Sequence, residues 1–342
     1  MNKYDVVIIG AGPGGLNCAL ELSKSNKTVL IVEQKKNIGP KVCAGGLTGQ
    51  DLEYLNIPNK LLDFKLNQIT VKTPYQEKKV KMKKNFVYTI DRKRLGQWQL
   101  KKLKKTSVDI KTGVRVTKIE KNQIILNNKE KIKYNSLVGA DGSNSRVRKY
   151  LGLKTEKILC GMQYIIPTTK YKELELILDS GFFHSGYAWI FPHKGYASIG
   201  CCCNPDYLSG KKLRNNFEKW LKDSKINIKK GEFQAHPISY DYQGYKFGKT
   251  FLIGDAAGFA SGYTGEGMYY ALISGEEVAK MILNKRYKSK KINEILELKK
   301  THENFLELLE KSSFFRGIEY EIIILLLKTR IFNKKLIKTF CP

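Results

Sequence analysis

The spacing of apolar positions changes several times along the chain, and each change marks an element. Val6-Val7-Ile8-Ile9 is a continuous apolar run, as expected of a strand buried on both faces. It stands in a series of strand (Tyr4 to Ile9), glycine turn (Gly10 to Gly15), helix (Leu16 to Ser25) and strand (Thr28 to Glu33), which is one βαβ unit. Asp91 to Lys105 places Leu95, Trp98, Leu100 and Leu103 at helical spacing, and Val108 to Asn127 reads as a strand followed by a hairpin. Leu137-Val138-Gly139 and Phe251-Leu252-Ile253 are two more buried strands, the second feeding a helix that runs to Ala279. Ile69 to Val80 and Cys160 to Cys203 instead alternate with a period of two between turns, which predicts antiparallel strands of a second sheet. Residues 205–225 carry the pattern of a surface helix. The chain is thus expected to pass between two domains: the first from 1–64, 86–158 and 246–285, the second from 65–85 and 159–245, with a helical segment at 286–342.

That last segment contains Ile322-Ile323-Ile324-Leu325-Leu326-Leu327 followed by Lys328, Arg330, Lys334, Lys335 and Lys338. A basic amphipathic helix of this kind suits a membrane surface or packing on the core with a solvated face, and the pattern leaves both open.

The 342 residues and 42% hydrophobic content are those of a globular chain with room for two domains and exclude a disordered one. Sixty-one Lys and Arg against 32 Asp and Glu give a formal charge of +29, which attracts anionic surfaces, phosphorylated substrates or acidic proteins. A nucleic acid is suggested by charge alone and is not expected as a specific partner. The cysteines, Cys18, Cys43, Cys160, Cys201, Cys202, Cys203 and Cys341, are odd in number, so a disulfide framework is not expected and a reducing cytoplasm is. Cys201-Cys202-Cys203 lacks metal-ligand spacing, because successive strand residues point to opposite faces. None of His184, His193, His236 and His302 has a metal-site pattern, and they are expected to be solvated loop residues. No basic leader precedes the first strand, and no run of about 18 apolar residues could span a bilayer.

Chemistry concentrates where strands end. Gly10-Ala11-Gly12-Pro13-Gly14-Gly15 is a GxGxxG turn between a strand and a helix, and Glu33 closes the next strand at the spacing of a ribose-binding acid. Gly10 would form the tight turn, Gly12 would admit a pyrophosphate to the helix N-terminus, and Gly15 would allow close helix-strand packing. The Glu33 carboxylate would accept from ribose hydroxyls and disfavour a 2′-phosphate. After Leu137-Val138-Gly139 comes Ala140-Asp141-Gly142, with Arg146 and Arg148 beyond, so Asp141 is a candidate for a sugar-chain hydroxyl and the arginines for a diphosphate or a nicotinamide cofactor. After Phe251-Leu252-Ile253 comes Gly254-Asp255-Ala256-Ala257-Gly258, then Thr264-Gly265-Glu266-Gly267-Met268 at a helix start. Asp255 would accept from a ribityl or ribose hydroxyl, while Gly258, Gly265, Gly267 and Met268 would bring backbone amides to a flat anionic ring.

Taken in order, these three segments resemble the FAD-dependent reductase and aromatic hydroxylase superfamily. Gly186-Tyr187-Ala188-Trp189-Ile190-Phe191-Pro192-His193, Lys41-Val42-Cys43-Ala44-Gly45-Gly46 and Thr264-Gly265-Glu266-Gly267 make the chain similar to the geranylgeranyl reductase family, from Tyr4 to about Ala279. The resemblance implies an α/β fold: a Rossmann-like FAD-binding domain, an inserted antiparallel-sheet substrate domain and a short C-terminal helical region. It implies FAD as cofactor, NAD(P)H or ferredoxin as reductant, and saturation of isoprenoid double bonds as the reaction. It further implies cofactor contacts at Cys43, Ala44, Gly45, Arg92 and Val116, a catalytic place for Cys43, and an isoprenoid tunnel shaped by Tyr187, Trp189, Phe191 and Pro192. The residues agree, since Tyr187, Trp189 and Phe191 alternate onto one face of a strand and offer aromatic area to an apolar chain. An isoprenoid lipid is therefore the expected partner, geranylgeranyl groups of a membrane lipid precursor foremost, in a cytoplasmic protein that could sit at the membrane periphery. An FAD monooxygenase of the same fold and a non-catalytic prenyl-binding protein stay open as alternatives. Two departures stand out: Gly262 replaces the proline that the family and its relatives often carry beside the flavin, and the region after Ala279 is short.

Overall fold

A computed structural model describes residues 2–312 and 315–329. Arg330, Lys334, Lys335, Lys338 and Cys341, named above, lie outside the described residues. The apolar runs Val6–Ile9 and Val29–Val32 sit in the centre of an eight-stranded sheet, flanked by Lys131–Gly139 on one side and Asp109–Thr112 on the other. Thr250–Leu252 extends the sheet beyond Lys131–Gly139, and these five strands are parallel. Their register is what matters for function: Ile9 pairs with Val32 and Gly139, and Gly139 pairs with Leu252. The carboxyl ends of four strands are therefore level, and the glycine turn, Glu33, Asp141 and Asp255 all leave the sheet along one edge, where open α/β sheets bind ligands.

Two helices cover this edge from one face. Pro13–Leu22 lies against Met268–Leu283 so closely that a Cβ on Gly14 would be 2.6 Å from the Ala271 carbonyl oxygen, and one on Gly275 would be 2.4 Å from that of Gly14. Helix Arg92–Leu103 starts at Asp91, whose carboxylate accepts from the Arg94 N–H at 2.8 Å, the cap that a helix start requires.

The second sheet has seven strands in the order Glu232–Ser239, Ile158–Pro167, Tyr196–Cys203, Tyr187–His193, Leu174–Ile177, Gln68–Lys72, Glu77–Lys81. All its pairings are antiparallel except Leu174–Ile177 with Gln68–Lys72, which is parallel. Those two strands come from separate passages of the chain, so no hairpin dictates their direction. Helix Gly210–Asp223 packs Leu213, Phe217, Trp220 and Leu221 onto one face of this sheet, together with Cys201, Cys203 and Ile199. Cys201 to Cys203 are all buried strand residues, and no group of three metal-ligating side chains occurs among the described residues. A small third sheet, Phe64–Leu66, Val87–Thr89 and Gly46–Thr48, has no counterpart in the sequence reading. Its three-residue strands are too short to show a period.

The C-terminal helix Arg316–Leu327 buries Tyr320, Ile324 and Leu327 and joins Ile69, Val71, Val80 and Leu174 in one apolar cluster. Ile318, Ile322 and Leu325 on its other side are exposed. No helix among the described residues is long and apolar enough to cross a membrane.

Candidate functional site

The site is built along the level strand ends and continues into the second sheet. Helix Pro13–Leu22 begins at Gly12 with no side-chain cap and no acid in its first turn, so its first amide groups and positive dipole end are free for an anion. Gly10 holds φ at +104°, and a Cβ there would lie 2.3 Å from the Ala140 oxygen, while a Cβ on Gly15 would lie 2.1 Å from the Gly10 oxygen. Gly12 is the opposite case, with nothing within 4 Å of where its Cβ would be. That open space in front of an uncapped helix start fits a pyrophosphate. Glu33 sits beside the turn and accepts from the Ala11 N–H at 2.8 Å and the Lys35 N–H at 2.9 Å.

Asp141 accepts the Arg146 N–H through Oδ2 at 2.6 Å, whereas its Oδ1 is buried without a partner, and burial pushes its pKa up. Gly142 follows at φ +74° with open space around it. Burial would also raise the Asp255 carboxyl, but the Lys41 ammonium at 2.9 Å, with His236 and Arg92, holds it below the usual carboxylate range. Ser143 donates to the same Asp255 oxygen at 3.4 Å. Arg92 leaves its buried Nε without a partner. Unsatisfied buried polar atoms on Asp141 and Arg92 are what a bound dinucleotide would complete.

Pro13, Cys43, Ala44, Arg92, Asp255, Gly265, Gly267 and Met268 share the wall of one cavity of about 360 Å³ with Tyr187, Trp189 and Phe191. A large part of the remaining wall is aliphatic, including Ile69, Val71, Leu174, Leu176, Ile323 and Leu327. The aromatic alternation seen in the sequence thus sends Tyr187, Trp189 and Phe191 to the cavity, while Ala188 and Ile190 face the packed side. The Trp189 indole N–H is satisfied by Ser198 Oγ at 3.1 Å, so the ring presents only apolar area. Val116 and Pro192 are buried in packing and Gly258 backs onto the Asp241 carbonyl, and none of the three lines the cavity. Gly45, at φ +81°, is one residue off the wall.

The Cys43 loop is held by residues that sequence reasoning missed. Gln163 donates to the Cys43 carbonyl at 3.3 Å and accepts from Ser198 at 2.8 Å. His193 has Asp63 Oδ2 at 2.9 Å from Nδ1 and the Ala44 carbonyl at 2.8 Å from Nε2, and Arg94 pairs with the other Asp63 oxygen. Both ring nitrogens thus lie within hydrogen-bond distance of an oxygen from another passage of the chain. The expectation of solvated histidines fails here: His193 is 3% exposed and His302, beside Ser261, is fully buried. A partner for His193 lies 130 residues away in sequence, where no local pattern can reveal it. His193→Phe is expected to strip Asp63 and Ala44 of this link and to cost about 2 kcal/mol, as leaving buried polar groups without their hydrogen-bond partner does. Chemical denaturation measures it, and an unchanged midpoint would contradict the assignment.

Arg148 also departs from expectation. It is 1% exposed and spends its guanidinium on Asp241 at 3.0 Å and the Lys154 carbonyl at 3.1 Å, so it is a strut and not free for a diphosphate. Gly262 has a local cause, since a Cβ there would lie 2.6 Å from the Tyr240 ring.

The family model of an FAD binding domain matches residues 3–165. An uncharacterized protein of Methanosarcina barkeri is 33% identical, the match covering 82% of this chain and 75% of that one. Digeranylgeranylglycerophospholipid reductase 3 of Methanosphaera stadtmanae is 31% identical over 88% of this chain and 84% of its own. Among solved structures, a geranylgeranyl bacteriochlorophyll reductase-like protein of Thermoplasma acidophilum superposes with a TM-score of 0.82 at 20% identity, covering 98% of this chain and 96% of that one.

Proposed function

Because the chain belongs to the geranylgeranyl reductase family of FAD-dependent oxidoreductases, we propose that it saturates carbon-carbon double bonds of isoprenoid chains, foremost the geranylgeranyl groups of a membrane lipid precursor. The observation that carries this reading is the apolar cavity whose wall joins Pro13, Arg92, Asp255 and Gly267 to Tyr187, Trp189 and Phe191. The part of the wall formed by Ile69, Val71, Val80, Leu174, Leu176, Ile323 and Leu327 is aliphatic, which suits an apolar chain better than a polar aromatic.

FAD, when bound and reduced, supplies a hydride. The protein would hold and place it: the amides opening helix Pro13–Leu22 would take the pyrophosphate, Glu33 the adenosine ribose, and Asp255 and Asp141 the hydroxyls of the flavin side. Gly265, Gly267 and Met268, with Cys43 and Ala44 in the same wall, would hold the ring, and Cys43 would touch the substrate. Tyr187, Trp189 and Phe191 then hold the isoprenoid in an orientation that brings one double bond to the ring, while Leu176, Ile323 and Leu327 keep water out. NAD(P)H or a ferredoxin is the proposed reductant. The exposed Ile318, Ile322 and Leu325, with Lys328 at the end of the same helix, form the face proposed to touch a membrane surface.

The reading is tested by reducing the holoprotein anaerobically and adding geranylgeranyl diphosphate or a geranylgeranyl lipid. Recovery of the oxidised-flavin absorbance is expected, and its absence with every isoprenoid counts against the proposal. Chain length should be set by the aliphatic end. Leu176→Trp, which fills the cavity beside Trp189, is expected to shift kcat/KM from geranylgeranyl towards shorter prenyl substrates by about tenfold or more. An unaltered preference would place the chain elsewhere.

A further inference from the structure

Saturating a double bond consumes a proton as well as a hydride, and the cavity wall contains a carboxyl suited to supply it. Glu266 stands between Gly265 and Gly267, just before helix Met268–Leu283. Its backbone is fixed on both sides: its N–H donates to Thr264 Oγ1 at 3.3 Å, and its carbonyl accepts from the Ser261 N–H at 2.8 Å. The side chain lines the cavity and has no hydrogen-bond or ion-pair partner among the described residues.

Two further polar groups in the same wall are buried and unspent. Asp51, 3% exposed, gives Oδ2 to the Thr48 N–H at 2.9 Å and leaves Oδ1 unpartnered, and the Tyr270 hydroxyl, on a residue 2% exposed, is unpartnered as well. Tyr187, on the facing sheet, turns its hydroxyl to the Thr264 carbonyl. Glu266 therefore faces Asp51, Tyr187 and Tyr270, and no cation is among the groups that act on it. Burial, and after it the Asp51 charge, pushes the Glu266 pKa up to about 8. Asp51 itself is pushed up to about 6 by burial. A carboxyl with its pKa above neutrality keeps its proton at neutral pH and gives it up as the medium becomes alkaline.

We propose that Glu266 is the proton donor of the double-bond reduction, an assignment that rests on the function proposed above. The Glu266 O–H bond breaks and a C–H bond forms at one alkene carbon with the π electron pair. The hydride forms the second C–H bond at the other carbon. Glu266 is left as a carboxylate and regains its proton from solvent between turnovers, a return that Asp51 and the Tyr270 hydroxyl are placed to assist. Neither oxidant nor reductant is required beyond the hydride already counted.

The test uses the flavin-loaded protein with a geranylgeranyl lipid. Glu266→Gln is expected to keep its flavin and to lose kcat by about a hundredfold or more, as removal of a general acid does. Wild-type kcat should fall as pH rises through about 8, that alkaline limb should be missing in Glu266→Gln, and Glu266→Asp should restore part of the rate. A readout independent of turnover is the infrared band of protonated carboxyl groups in the resting holoprotein. One such band should disappear near pH 8 in wild type and be absent from Glu266→Gln. Full kcat with an unchanged pH profile in Glu266→Gln, or loss of the band already in the ordinary carboxylate range, overturns the donor while leaving the reductase reading intact. Failure of wild type to reduce any isoprenoid overturns the reading itself and the donor with it.

Discussion

Asp255→Ala is expected to purify without bound flavin. Asp255 leaves the sheet edge at the level of Gly10 and Asp141, largely shielded beside Lys41, and that ammonium favours its ionised form. An ionised acceptor of this kind contributes about 1.5 to 3 kcal/mol to a hydrogen bond with a hydroxyl, a loss of roughly tenfold to hundredfold in affinity. The substitution also cuts the 2.9 Å ion pair that ties the Lys41–Gly46 loop to the first sheet, so the loop facing the ring loses an anchor as well. Asp255→Asn keeps an acceptor oxygen and gives up the ion pair, and should fall between wild type and the alanine variant. Flavin absorbance per protein after purification, with titration of FAD into the stripped protein, measures both. Stoichiometric FAD at wild-type affinity in Asp255→Ala would remove Asp255 from the cofactor site.

The glycine turn provides the second large effect, as a contrast between neighbours. Gly10→Ala forces a side chain into a left-handed conformation and into the Ala140 carbonyl 2.3 Å away, so the flavin-free protein should lose about 2 kcal/mol or more of stability. Gly12→Ala meets nothing within 4 Å and has an extended backbone, so the flavin-free protein should unfold within about 0.5 kcal/mol of wild type. Its methyl group nevertheless occupies the approach to the helix start, and FAD affinity should fall at least about tenfold. Denaturation of the flavin-free proteins and FAD titration separate the two roles. Equal destabilisation by both variants would mean that the space at Gly12 is structural.

Much of this site was legible because it depends on short segments. A continuous apolar run that stops at glycine or aspartate is visible wherever it occurs, and three such runs end at Gly10, Asp141 and Asp255. Period-two alternation likewise announced that Tyr187, Trp189 and Phe191 share a face. What the sequence does not contain is distance between segments. The level register of Ile9, Gly139 and Leu252 is a property of strand pairing, and so is the seating of Tyr187, Trp189 and Phe191 in the same wall as Asp255.

The misreadings share that origin. Arg148 looked free because Asp241 is 93 residues away, and His193 looked solvated because Asp63 and Ala44 come from earlier passages of the chain. Glu266 read as part of a glycine-rich tail, since nothing local shows that its side chain enters an apolar cavity beside Asp51. Gly262, where relatives often carry a proline, backs onto the Tyr240 ring, a contact between segments that no local pattern shows. The aliphatic end was hidden for another reason: Ile323 and Leu327 belong to a helix with apolar residues on both its buried and its exposed side, so its pattern did not say which side meets the sheet.

The central claim is that reduced flavin and an isoprenoid double bond meet in the cavity walled by Asp255, Cys43 and Trp189. It is tested most directly by incubating the dithionite-reduced holoprotein anaerobically with geranylgeranyl glycerophospholipids, and in parallel with a menaquinone, and weighing the products by mass spectrometry. A gain of the mass of two hydrogens for each reduced double bond is the result this account predicts. No gain on any isoprenoid, with flavin bound and reduced, would contradict it.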